Sequence, residues 1–347
     1  MSDMTNARNL LYQDQQQAML RRSVAEQELL ESRTTPLETP QLKKGSAASG
    51  TGFAAKTSPN QWLAKQQAKL LQKEGVLRID HALPDEVADA LRAYVLEQQA
   101  IALDITQKDP SKSRSFYGVE QARAHRCDLQ LSLLRGGYKA DNNNNDNSDD
   151  NVLADALQAL LGQNGSLRHL YETLVTKDGE FYELAAVVTD PGSNRQTIHP
   201  DLPFQDPAPL YVVFVALQDV TVEMGPTSFL IKTHTAQQNQ QFKSMDMAVR
   251  DAQLEAADCR LSCMPKGSAV VFDARILHCG NANSSQTSRA LFNFSFRNPL
   301  VQGNLGYEGS IRPGYGQKMT LSDVADALTS YQTGNKNPFA KYGSGLL

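Results

Sequence analysis

The chain has 347 residues, 40% apolar and 21% charged, with 34 Lys and Arg against 38 Asp and Glu. That balance excludes wholesale disorder and fibrous repeats, and a formal charge of −4 gives no reason to expect nucleic acid or anionic lipid as a partner. No stretch approaches the ~18 consecutive apolar residues of a membrane helix. The opening MSDMTNARNLLYQDQQQ lacks the apolar run of a secretory signal, so a cytoplasmic address is the expectation.

Residues 1–58 are rich in Gln, Ser, Thr and Ala. Such a segment buries too little apolar surface to offset its ordering entropy, and it is expected to lie outside the fold as a disordered tail. The folded region is expected over residues 59–330. Trp62, Leu63, Gln66, Leu70 and Leu71 recur at helical spacing, Gly75 to Asp80 reads as a short strand, and Pro84 opens a helix to about Gln99. Cys127 to Leu133 alternates with period two, the mark of a half-buried strand, whereas the polar run 141–150 (DNNNNDNSDD) predicts a solvated insertion.

From Glu183 onward the character changes. Ala185–Thr189, Tyr211–Leu217, Thr227–Ile231, Ser268–Phe272 and Ala290–Phe296 are short, β-branched or aromatic, and separated by Gly, Pro, Asn or Asp. Helices followed by many short strands predict an α+β fold: a double-stranded β-helix (jelly-roll, cupin-like) core with surrounding helices. A Gly- and Pro-rich loop follows Pro299, then a helix near Leu321 to Thr329, then a polar C-terminal tail over residues 331–347. The four cysteines lack a paired C-x2-C spacing, and Cys259 and Cys263 are read as small hydrophobes.

Two histidines carry the chemistry. His199 and Asp201 form an H-x-D, and His278 follows a strand further on. In an extended chain residues i and i+2 share a face, so His199 and Asp201 can offer an imidazole and a carboxylate to one ion. With His278 they make a 2-His-1-carboxylate set, the facial triad of non-haem Fe(II) oxygenases, which leaves coordination positions open. H-x-D alone is a weak signal. The run from Arg289 strengthens it: Ala290, Phe292, Phe294 and Phe296 share one face, and Arg289, Leu291, Asn293 and Ser295 share the other. The aromatic face is expected to pack on helices, which turns Arg289 into the sandwich, where a guanidinium needs an anion. Its planar fork matches a carboxylate such as the distal one of 2-oxoglutarate.

These residues resemble the phytanoyl-CoA dioxygenase-like family of Fe(II)/2-oxoglutarate oxygenases. The likeness covers most of residues 75–300. It includes Asp190-Pro191-Gly192, Arg195-Gln196 ahead of the H-x-D, Ala216 to Thr221, Glu223 to Thr227, and Lys232-Thr233-His234. The resemblance implies that His199, Asp201 and His278 bind Fe(II), that Arg289 binds 2-oxoglutarate, and that O2 is the second co-substrate. Two positions depart from relatives: Pro200 stands between the histidine and the aspartate, and Gly280 stands where some carry a hydroxyl. Gln196, Asn293 or Ser295 are the candidates to hold 2-oxoglutarate instead. Halogenating relatives replace the aspartate, so Asp201 points to hydroxylation of an unactivated C–H bond on a small-molecule or acyl substrate. Arg312, in the late Gly-rich loop, is a candidate contact for a substrate anion. His234 is read as structural, and His81, His125 and His169 as surface or capping residues. The alternatives from other classes are a non-catalytic metal-binding jelly roll acting as sensor or scaffold, and a hydroxylase of protein side chains.

Overall fold

The computed structural model describes residues 34–41, 58–111, 125–131, 133, 151–306 and 319–342. The first helix, α1 (Pro59–Glu74), begins with a capping box in which Ser58 and Gln61 satisfy each other's backbone N–H groups, and has Pro at its start. It ends on Gly75, whose left-handed φ of 85° closes the helix at little steric cost. Strand β2 (Val76–Ile79) and helix α2 (Asp85–Lys108) follow. That helix runs well past the expected Gln99, because Ala102 and Thr106 continue its buried face.

Two short helices, α3 (Val152–Leu161) and α4 (Arg168–Val175), precede the β-rich half and were not anticipated from the sequence. The strands are then β4 (Glu180–Thr189), β5 (Leu210–Ala216), β6 (Thr227–Leu230), β7 (Cys259–Leu261), β8 (Ala269–Asp273), β9 (His278–Gly280) and β10 (Arg289–Arg297). Helices α5 (Ala236–Phe242) and α6 (Met247–Ala256) separate β6 from β7, and α7 (Leu321–Gln332) follows the last strand. Together with β1 (Thr35–Pro36) and β3 (Arg126–Gln130), the strands form a six-stranded sheet, β2-β8-β5-β10-β4-β3, and a four-stranded one, β1-β7-β6-β9. All neighbours pair antiparallel except β1 with β7. This is the expected α+β jelly roll.

Two cores flank the large sheet. On its outer face Phe292, Phe294 and Phe296 pack with α1, α2, α3, α4 and α7 through Leu71, Leu91, Leu157, Tyr171 and Leu328. The Tyr171 and Phe181 rings lie 5.1 and 5.0 Å from that of Phe296. On its inner face Leu291, Val212 and Phe272 join Phe229 of the small sheet. The alternation read from Arg289 to Phe296 thus assigns both faces of β10 correctly: aromatic residues toward the helices, polar ones toward the space between the sheets.

The expected boundaries need correction at both ends. Thr34–Gln41, expected outside the fold, lies along the small sheet. The Leu37 N–H donates to Leu261 O at 2.7 Å, Arg78 Nη1 donates to Leu37 O at 2.9 Å, and Thr39 Oγ1 donates to Asp80 Oδ2 at 2.5 Å. A buried Leu, the pairing of Thr35–Pro36 with β7 and these hydrogen bonds tie down a polar stretch that composition alone leaves free. At the other end, Phe339 and Tyr342 belong to the outer core although they fall in the expected tail. The 141–150 insertion lies outside the described residues, as does most of the first 58. Among the described residues no helix is long and apolar enough to cross a membrane. The cysteines are free; Cys127, Cys259 and Cys279 are buried and Cys263 half-buried.

Candidate metal and co-substrate site

His199 and His278 are brought together by the backbone. Each donates its N–H to the other's carbonyl, at 3.0 and 2.9 Å, so a short bridge aligns the H-x-D segment with β9. Asp201 follows two residues after His199 on the same edge. Its Oδ1 lies 3.9 Å from His199 Nε2 and 3.5 Å from His278 Nε2. One ligand atom from each of the three side chains lies within 4.8 Å of the other two.

The orientation of both rings follows from their second nitrogen. His199 Nδ1 lies 2.7 Å from Thr197 O, and His278 Nδ1 lies 3.0 Å from Ile276 O. A carbonyl can only accept, so each Nδ1 carries the proton and each Nε2 presents a lone pair beside Asp201. The buried His278 ring stacks on Phe229 at 5.8 Å and packs on Phe272 at 5.3 Å, which removes its rotational freedom. His199 and Asp201 are more open, so the ligand set is anchored on one side and accessible on the other. Two neutral imidazoles and a carboxylate with open positions suit an Fe(II) ion.

Arg289 starts β10 opposite Thr189 of β4 and is fully buried. Its Nη2 donates to Thr189 Oγ1 at 3.0 Å and its Nη1 to Gly225 O, while its Nε is buried without an acceptor. Gly225 is positioned by its own geometry: with φ at 68°, an added Cβ would meet Ala282 O at 2.4 Å. Among the described residues no carboxylate pairs with Arg289. Burial and the nearby Arg126 guanidinium pull its pKa down from 12.5 to about 9. A buried guanidinium whose acceptors among the described residues, Thr189 Oγ1 and Gly225 O, are uncharged calls for an anion, and its Nε is left open for one.

The remaining sequence candidates divide. Gln196 braces β9: its backbone N–H donates to Gly280 O at 2.8 Å, and its Oε1 accepts from Gly280 N at 2.8 Å. Ser295 Oγ donates to Glu183 Oε2 at 2.6 Å. Asn293 is buried and its Oδ1 has no partner. Arg312 lies outside the described residues. His234 is structural: its Nε2 donates to Gln72 O at 3.0 Å at the end of α1. His169 pairs with Glu172, and His81 and His125 occupy positive-φ positions. The sequence reading missed Arg126, Thr189 and Glu183. For Arg126 a signal existed, since Cys127 and Leu129 face the helices and the alternation turns Arg126, Asp128 and Gln130 inward. Gly280 leaves room for Arg126, as a Cβ there would meet Arg126 Nη1 at 2.6 Å and Gln196 Oε1 at 2.9 Å.

The phytanoyl-CoA dioxygenase (PhyH) family matches residues 71–291, well over half of the chain. The protein belongs to that family. It is therefore an Fe(II)- and 2-oxoglutarate-dependent oxygenase, with a His-Asp-His cluster suited to the metal. No curated protein matches the sequence. Among solved structures, similarity extends to the non-heme alpha ketoglutarate dependent carbocyclase SnoK from nogalamycin biosynthesis (17% identity, 71% of this chain and 87% of that one, TM-score 0.48). It also extends to the epimerase SnoN in complex with Fe3+, alpha ketoglutarate and nogalamycin RO (15% identity, 75% and 99% coverage, TM-score 0.46). AviO1 from Streptomyces viridochromogenes Tue57 is comparably similar (15% identity, 72% and 99%, TM-score 0.46).

Proposed function

We propose that His199, Asp201 and His278 hold the iron, that Arg289 receives the distal carboxylate of 2-oxoglutarate, and that this PhyH-family oxygenase hydroxylates an unactivated C–H bond of a small molecule. The observation that carries this reading is the fully buried Arg289 guanidinium, which has an unsatisfied Nε and no carboxylate partner among the described residues. A sensor or scaffold that had kept only the barrel would gain nothing from a buried cation lacking an anion.

When bound, iron and 2-oxoglutarate supply an oxidant made from O2, with succinate and CO2 as co-products. The chain's own residues do the positioning. Thr197 O and Ile276 O fix the two neutral imidazole tautomers, so both Nε2 lone pairs face the Asp201 side as ligands. Phe229 and Phe272 hold the His278 ring and keep water from that side. Thr189 Oγ1 and Gly225 O aim the Arg289 fork. No side chain is required as nucleophile or general base.

The test is anaerobic addition of Fe(II) and 2-oxoglutarate to the purified protein, followed by the visible absorption band of an iron-bound keto acid. Alanine at His199, Asp201 or His278 is expected to abolish the band; if all three variants keep it, the metal site is elsewhere. Hydroxylation as the outcome is read by mass spectrometry, as a gain of one oxygen in the substrate that stimulates succinate release.

A further inference from the structure

The loop that carries Asp201 hangs at three points on one short segment, residues 274–278. The backbone bridge between His199 and His278 is the first, and the Leu202 N–H donates to Ala274 O at 3.0 Å as the second. The third is made by a side chain: Arg275 Nη1 donates to Gln205 O, and its guanidinium lies 5.1 Å from the Phe204 ring. Asp201 is the most exposed of the three ligand residues. The stretch after it is poorly covered, with Pro203 and Asp206 exposed and Phe204 and Gln205 half-buried. Burial fixes little of this stretch, which leaves its geometry to such ties.

Arg275 is itself held rigidly. Its Nε donates to Asp273 Oδ1 at 2.8 Å and its Nη2 to Asp273 Oδ2 at 2.6 Å, a bidentate pair between two buried residues. Asp273 Oδ1 also accepts the Arg275 backbone N–H at 2.9 Å. Asp273 ends β8 opposite Tyr211 of β5, and its N–H donates to Gly75 O at 2.9 Å, so the clamp is anchored in the large sheet. The Arg275 charge is thus neutralised where it stands, unlike that of Arg289, and it calls for no ligand anion. A buried pair of this kind is a weak source of stability, since apolar residues of similar volume often do as well. What an apolar pair cannot do is present an N–H to a carbonyl four residues beyond a metal ligand. The same turn places Ile276 O on His278 Nδ1, so residues 273–276 bear on both sides of the triad.

We propose that Arg275 is a positioning residue for the metal: clamped by Asp273, it fixes the loop that carries Asp201 and so sets that carboxylate against His199 and His278. This rests on the reading of those three residues as the iron ligands. The test titrates the purified full-length protein anaerobically with Fe(II) and then with 2-oxoglutarate. It records iron affinity, the keto-acid band and the metal-free melting temperature. Arg275→Lys keeps a cation beside Asp273, but an ammonium cannot reproduce the planar fork that holds that carboxylate and Gln205 O together. Asp273→Asn/Arg275→Met removes both charges at once and leaves no buried ion unpaired, so the tie is lost without that penalty. Both variants are expected to bind Fe(II) about 10- to 100-fold more weakly, the usual effect of losing a group that orients a ligand, and to shift the band. The metal-free melting temperature of Arg275→Lys should change little. Wild-type iron affinity and band position in both variants overturn the proposal. So does a loss of affinity found only where the metal-free melting temperature falls with it, which is what a merely structural role would give. An Asp201→Ala variant that binds Fe(II) like the wild type overturns the underlying ligand assignment instead, and the proposal with it.

Discussion

Arg289 and Thr189 sit opposite one another on β10 and β4, and the guanidinium Nη2 donates to the threonine hydroxyl at 3.0 Å. The pairing orients the fork without neutralising it. Thr189 and the Gly225 carbonyl are both uncharged acceptors, so the cation keeps its demand for an anion while its direction is fixed.

Arg289→Ala is accordingly expected to weaken 2-oxoglutarate far more than it weakens the metal. Charge-assisted hydrogen bonds contribute about 1.5–3 kcal/mol, roughly 10- to 150-fold in affinity at 1.4 kcal/mol per decade. Arg289→Lys should restore only part, because an ammonium cannot reproduce the fork. Phe292→Leu, on the opposite face of the same strand, should lower stability by roughly 1 kcal/mol and leave 2-oxoglutarate affinity unchanged. Calorimetric titration of the three variants decides it; equal losses in the Ala and Leu variants would remove Arg289 from the site.

The same residue predicts a pH dependence. Its pKa in the ligand-free fold, about 9, lies below the ordinary 12.5 because of burial and Arg126. Between those values the unfolded chain holds the proton and the folded chain does not, so the ligand-free protein gains stability from this group as pH rises through that window. Below about 9 both states are protonated and the burial penalty is constant. A bound carboxylate restores the proton, so stabilisation by 2-oxoglutarate should be full below pH 9 and decline above it. Thermal melts from pH 7 to 10.5, with and without 2-oxoglutarate, read this directly. Arg126, Thr189 and Gly225 O face the guanidinium, and the decline should be absent in Arg289→Ala.

The sequence carried the site well where periodicity is strict. In β10 every second residue from Phe292 to Phe296 is aromatic, so the inward position of Arg289 follows without a structure. The H-x-D spacing likewise gives His199 and Asp201 one edge. What was not legible depends on long-range pairing. Phe181 turns outward only because β4 bulges opposite Ser295 and Phe296, which strict alternation does not foresee. Helix α3 was readable in principle, from Leu153, Leu157 and Leu160 after the Asn151 cap, but the adjoining polar run masked it. Strands β7 and β9 have three residues each, too few to show a period.

Gly280 gives a test of crowding near β9. A side chain there meets the Arg126 guanidinium at 2.6 Å and Gln196 Oε1 at 2.9 Å. Gly280→Ser is expected to lower stability by about 1–3 kcal/mol, the usual cost of overpacking. Arg126→Ala in the same chain should relieve most of that steric part, because the blocking atoms are the end of a flexible side chain. Chemical denaturation of the two single variants and the double variant measures the coupling. Strict additivity would show that the two side chains do not compete for this space.

The last prediction concerns the segment that composition assigns to a disordered tail. Leu37 is buried against the inner core, its N–H extends β7 through Leu261 O, and Arg78 reaches across to its carbonyl. Burying one Leu stabilises by about 1.5–3 kcal/mol, and each hydrogen bond adds about 1 kcal/mol. Ordering eight residues offsets much of this. A net loss of about 2 kcal/mol is therefore expected when the chain starts at Ser58, or roughly 4–8 °C in melting temperature for a domain of this size. A chain starting at Thr34 should melt like the full-length protein. Leu37→Ala in the full chain should reproduce part of the loss, which separates the docked leucine from any effect of shortening the chain. The iron and 2-oxoglutarate affinities should be unchanged throughout, because β1 lies at the edge of the small sheet opposite β9 and its His278. If the chain starting at Ser58 melts unchanged, the docked segment contributes nothing, and composition was the better guide to residues 34–41.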